Sequence, residues 1–129
     1  MPDHQSIIQY RQPDACKPAA THHQQFNSHI MKTSFQDLVN SKTPTVIDFF
    51  ATWCGPCRMV TPILEDLKSE LGENIRVYKI DVDQNPGIAA EYNVRSIPTI
   101  MIFKNGKLQW REAGVQSKAT LKNVISTLK

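Results

Sequence analysis

Between Thr45 and Cys57 the chain runs from an apolar stretch into a turn that carries two cysteines, and no other stretch restricts the fold so tightly. Val46 to Ala51 is β-branched and aromatic, has the length of a strand and is interrupted only by Asp48, the pattern of a central strand covered on both faces. The period then changes. Val60, Ile63, Leu64, Leu67 and Leu71 follow the three-and-four spacing of an amphipathic helix, which places Cys54 at or just before its first turn and Cys57 about one turn further in. Gly55 allows a tight approach to the helix, and Pro56 suits an early helical position where no amide is needed. Unpaired amides and the positive end of a helix dipole stabilise a thiolate at Cys54, the form that attacks a disulfide sulfur. With two residues between them the sulfurs come within bonding reach, so Cys57 can resolve a mixed disulfide. A C-x-x-C pair also fits half a zinc site or a plain buried pair, but the chain has no second C-x-x-C to complete a metal set.

With 129 residues the chain has room for one domain with a proper core. Three cysteines are too few for a disulfide scaffold and fit a reducing compartment. The net charge of +3 arises after residue 30, since Asp3 and Asp14 balance Arg11 and Lys17 before it. There is no basic run interleaved with aromatics, so no nucleic-acid footprint is expected. No stretch approaches the roughly 18 apolar residues of a membrane span, nor do the first residues carry the apolar core of a secretory signal. A cytoplasmic monomer that engages neither membrane nor nucleic acid is expected.

Residues 1–25 are polar, rich in Gln and His, and carry Pro2, Pro13 and Pro18; they read as a flexible extension before a domain spanning 26–129. Cys16, His22, His23 and His29 have no fixed ligand spacing and are read as incidental. Phe26 to Met31 is a candidate edge strand, followed by a helix capped by Thr33 or Ser34 that turns Phe35, Leu38 and Val39 inward. Gly72 stops the long helix. Ile75 to Val82 predicts a strand, and Asp83-Gln84-Asn85-Pro86-Gly87 a break before a short helix with Ile88, Ala89 and Tyr92. Thr99 to Phe103 and Lys107 to Ala113 flank Lys104-Asn105-Gly106, a hairpin signal. A last helix, capped by Ser117, presents Leu121, Val124, Ile125 and Leu128 on one face. The fold class is α/β, a mixed sheet of about five strands with four helices on its two faces.

At several separated places the sequence closely resembles thioredoxins: Trp53-Cys54-Gly55-Pro56-Cys57, Asp48 in the preceding strand, Asp83-Gln84-Asn85-Pro86, Ile97-Pro98-Thr99, Phe103-Lys104-Asn105-Gly106 and Gly114. The likeness covers about residues 26–129 and departs at Phe50, where many of that family carry tryptophan. It implies a protein-disulfide reductase with Cys54 as nucleophile and Cys57 as resolving thiol, recycled by thioredoxin reductase and needing no cofactor or metal beyond the redox pair. By the same resemblance Asp48 transfers a proton with Cys57, Lys79 is its partial counter-charge, and Pro98 is a cis-proline facing the cysteines. Trp53, Gly55, Pro56, Ile97 and Gly114 then form an apolar surface on which disulfide-containing client proteins dock. A carboxylate in a buried strand costs several kcal/mol unless paired or protonated; the bland reading of Asp48 is a satisfied structural hydrogen bond, the functional one an acid whose burial brings its pKa towards working pH. Two rivals stand beside the reductase: a disulfide-forming or isomerising protein, whose kind usually has histidine between the cysteines, and a binding module that uses the docking surface without turnover.

Overall fold

In the computed structural model of the chain, residues 7–9 and 34–128 are described. A single mixed sheet holds strands β1 (Ile7–Gln9), β2 (Thr45–Phe50), β3 (Arg76–Asp81), β4 (Thr99–Lys104) and β5 (Lys107–Ala113) in the order β1-β3-β2-β4-β5. Helices α1 (Phe35–Val39), α2 (Cys57–Leu71), α3 (Pro86–Glu91) and α4 (Lys118–Ser126) accompany it. The expected central strand is β2, parallel to β3 on one side and antiparallel to β4 on the other.

Alternation along the strands sorts the core into two layers. Ile47 and Phe49 of β2, Tyr78 and Ile80 of β3, and Met101 and Phe103 of β4 pack with Phe35, Leu38 and Val39 of α1, against Ile88 and Tyr92. An edge-to-face group of Phe35, Tyr92 and Phe103, with ring centroids 5.3 to 5.7 Å apart, fills that side. On the other side Val46, Val77, Ile100 and Ile102 meet Val60, Leu64 and Leu67 of α2 and Leu121 of α4. Asp48 and Lys79 share the parity of Val46 and Val77, so both side chains lie on the α2 side of the sheet. Lys118 pairs with Asp66 and Glu70 at 2.9 Å, and Lys122 also pairs with Glu70, tying α4 to α2.

The ends of the elements follow local chemistry. Ser34 Oγ accepts the amide of Asp37 and Ser117 Oγ that of Thr120, each at 3.1 Å, so both helices begin at hydroxyl caps. Gly72, at φ 55°, closes α2 and donates its N–H to Lys68 O. Asn105 and Gly106, at φ 55° and 80°, form the two-residue turn between β4 and β5, which needs left-handed backbone at both positions. That turn is also packed: a Cβ on Gly106 would lie 3.1 Å from Gln36 Nε2.

Within residues 1–25, expected to form a flexible extension, three residues are described in the sheet. Ile7–Gln9 is a strand, antiparallel to β3 with Ile7 opposite Ile80 and Gln9 opposite Tyr78. The outer edge of β3 offers unpaired backbone groups that any short β-branched segment can satisfy, and three residues are too few to show a period in the sequence. The candidate strand at Phe26 to Met31 and the scattered Cys16, His22, His23 and His29 lie outside the described residues. Deleting residues 1–10 should therefore lower stability in urea melts by about 1 kcal/mol, the net worth of a hydrogen bond or two on an exposed edge, and leave the rate of insulin reduction unchanged. A loss above about 3 kcal/mol would mean the segment is part of the core.

Candidate active site

The carboxyl ends of β2 and β3 lie side by side because the strands run parallel, with Phe50 opposite Asp81. The segment leaving β2 therefore meets the segment leaving β3. Ala51, Cys54 and Cys57 form a small buried cluster against Phe50, Val82 and Ile97. Cys54 and Cys57 are joined by a disulfide with their Cα atoms 5.4 Å apart, inside the usual range for such a bond. The helix begins at Cys57 rather than a turn earlier; a preceding turn, with Cys54 N–H on Ala51 O and Arg58 N–H on Gly55 O, carries the chain into it. Cys54 is thus placed ahead of the helix instead of within it, and the amide of Cys57 donates to its Sγ at 3.2 Å. That is the interaction a thiolate at Cys54 needs.

Asp48 is fully buried, and neither carboxylate oxygen has a hydrogen-bond partner among the described residues. Burial pushes its pKa up to about 7, with the positive charge of Lys79 pulling the other way. The bland reading, a structural hydrogen bond to another protein group, finds no partner among the described residues. Lys79 stands opposite Asp48 in the β2–β3 register; its Nζ donates to Thr61 Oγ1 at 2.7 Å and lies 4.5 Å from the ring centroid of Phe50.

The other residues singled out in the sequence fall as follows. The Ile97–Pro98 peptide is cis, Pro98 is buried, and Ile97 packs on the cysteine cluster. Gly114, at φ 91°, donates its N–H to Pro98 O at 2.8 Å; a side chain there would have space but would be forced into left-handed backbone. Gly55 and Pro56 are exposed. Trp53 is 69% exposed, yet its indole N–H donates to Asp83 Oδ2 at 2.8 Å. Met59 and Val115, also exposed, add apolar surface just after Cys57 and Gly114. No cluster of three metal-ligating side chains occurs among the described residues.

The thioredoxin family profile matches residues 25–127. The chain belongs to the thioredoxin family. It is 42% identical to a thioredoxin of Rickettsia conorii over 100 residues, covering 77% of this chain and 95% of that one, and 45% identical to one of Pyropia yezoensis over 100 residues, covering 77% and 94%. Among solved structures, a thioredoxin variant from Halobacterium salinarum superposes with a TM-score of 0.68 at 35% identity, over 74% of this chain and 83% of that one. The oxidized mitochondrial thioredoxin 3 of Saccharomyces cerevisiae does so at 0.66 and 38%, over 74% and 89%. With the fold, the family and the paired cysteines in agreement, the chain is a thiol-disulfide oxidoreductase of protein disulfides.

Two contacts at Trp53 and Lys79, to Asp83 and to Thr61, are ones that sequence reasoning misses. In the sequence Asp83 reads as the start of a turn within a thioredoxin-like segment, with no sign of its partner, and Thr61 carries no signal at all. A polar residue just past a strand or on the inner side of a helix is too common to stand out before its partner is known. No helix among the described residues is long and apolar enough to cross a membrane.

Proposed function

We propose that the protein reduces disulfides in client proteins, with Cys54 as nucleophile and Cys57 as resolving thiol. The observation that carries this reading is the Cys57 amide donating to Cys54 Sγ at the start of α2. The Cys54 thiolate attacks one client sulfur: the Cys54–client bond forms, the client S–S bond breaks, and the departing client thiolate takes a proton from water. Cys57 then yields its proton to the Asp48 carboxylate and attacks Cys54 Sγ, so that the internal disulfide forms and the second client thiolate leaves, taking that proton back. The client has gained two electrons and two protons: both electrons and the Cys57 proton come from the cysteine pair, and the other proton comes from the solvent, which took up the Cys54 proton when its thiolate formed.

Asp48 fits the proton acceptor because a carboxyl near pH 7 is poised to take and return a proton at working pH. Trp53, Gly55, Pro56, Ile97 and Gly114 form the docking surface for an extended client segment, to which exposed Met59 and Val115 add. The dithiol is restored by a thioredoxin reductase, without a further cofactor, and the protein acts as a cytoplasmic monomer, where thiols are kept reduced.

Insulin reduction followed by turbidity, driven first by dithiothreitol and then by NADPH with a thioredoxin reductase, is the test. Turnover in both is expected. Activity with dithiothreitol alone would overturn the reductase coupling, and none in either would make the chain a binding module.

A further inference from the structure

A buried carboxylate and an ammonium on adjacent strands normally close on one another, because the Coulomb attraction grows steeply as the dielectric falls. Asp48 and Lys79 do not. They are register partners on the α2 side of the sheet, yet Lys79 Nζ donates to Thr61 Oγ1 at 2.7 Å, lies 4.5 Å from the centroid of the Phe50 ring, and leaves both oxygens of Asp48 without a hydrogen-bond partner among the described residues. The ammonium is held by a neutral hydroxyl and an aromatic face, while the charge nearest to it in register stays unpaired. Thr61 lies one helical turn beyond Cys57, on the same side of α2, which is what allows its hydroxyl to reach over β3.

We propose that Thr61 is a positioning residue for proton transfer: its hydroxyl tethers the Lys79 ammonium at a distance from Asp48, so that the carboxyl is neither locked into an ion pair nor left without any counter-charge. This rests on the reading of Asp48 as the proton carrier. The bland alternative is that Thr61 simply satisfies a half-buried lysine. On that view its loss affects stability a little and nothing else.

The groups that bear on Asp48 are few. Lys79 faces it from β3; Asp81, two residues further along the same face of β3, accepts the Asp83 amide with its Oδ1 at 2.9 Å; α2 brings Cys57, which does not titrate as the disulfide; and its register partner on β4, Ile100, is uncharged. A titration of the oxidised protein therefore isolates the effect of Lys79.

The experiment is a 13C NMR titration of the Asp48 carboxyl in the oxidised full chain, for the parent, Thr61→Val, Thr61→Ser and Lys79→Met. Valine keeps the shape and removes the hydroxyl, so Lys79 is released to Asp48 and the midpoint should fall by about one unit or more. Serine keeps the hydroxyl and should titrate with the parent, while Lys79→Met should titrate higher. The pH dependence of insulin turnover should shift for Thr61→Val in the same direction as the midpoint. An unshifted or raised midpoint in Thr61→Val, or a serine variant that behaves like valine, overturns the tether. A midpoint that falls while the pH–rate profile stays put overturns instead the proton-carrier reading of Asp48 on which the tether's role depends.

Discussion

Cys54→Ser should show no measurable disulfide reduction, whereas Cys57→Ser should still attack client disulfides once and then stall as a covalent mixed disulfide. The two cysteines are almost equally buried, at 4% and 3% exposure, so accessibility does not decide which one attacks. The backbone does. Cys54 precedes the helix and its sulfur accepts the amide of Cys57, while Cys57 is itself the first helical residue, so the stabilised thiolate is at Cys54. Non-reducing gels of each variant with a disulfide-containing client give the result directly. Adducts are expected on the Cys57→Ser protein alone, and equal trapping by both variants would refute the assignment of roles.

Asp48→Ala should be more stable than the parent at pH 8 and less active, a combination that a purely structural residue does not give. In the oxidised protein the folded-state pKa of about 7 lies above the ordinary 3.8. Between those values the folded state binds a proton that the unfolded chain does not, so stability falls as pH rises through that window. At about 1.4 kcal/mol per unit the total is on the order of 4 kcal/mol. Below the lower value the contribution of Asp48 is fully present; above pH 7 it is gone. The alanine variant lacks this slope but carries a cavity cost of about 1 to 2 kcal/mol. It should be the weaker protein at pH 4 and the stronger by roughly 2 kcal/mol at pH 8, with the curves crossing between. Urea melts of both oxidised proteins from pH 4 to 9 measure this, and parallel curves would mean that Asp48 does not change protonation in that range. Turnover at pH 7 should fall by at least about tenfold, since removal of a positioned base commonly costs more than that.

The two expectations depend on the sequence to different degrees. The assignment of Cys54 and Cys57 needs only the strand-to-helix change of period after Ala51, which is visible because burial on one side of a helix and on both faces of a strand leaves distinct spacings. Even there the spacing leaves the helix start open, since Gly55 and Pro56 fit both a first turn and the turn before it. For Asp48 the sequence poses a choice without making it. A carboxyl in an apolar run is either paired or protonated, and whether a partner reaches it depends on which residues the fold brings alongside.

Local chemistry is legible wherever cause and effect lie a few residues apart. The hydroxyl caps at Ser34 and Ser117, the stop at Gly72 and the left-handed pair at Asn105-Gly106 each follow from the residues' own donors, acceptors and permitted backbone angles. The β-branched run of β2 likewise determines that a buried central strand leads into the cysteines. Tertiary structure alone decided that β1 covers the edge of β3, that Asp83 holds Trp53 from 30 residues away, and that Thr61 holds Lys79 from 18 away while the oxygens of Asp48 have no partner among the described residues. The last two contacts exist because β2 and β3 run parallel, with α2 laid across them. The spacing of apolar residues specifies which face of each element is buried, but the polar side chains that meet on that face are specified only when the elements are aligned against one another.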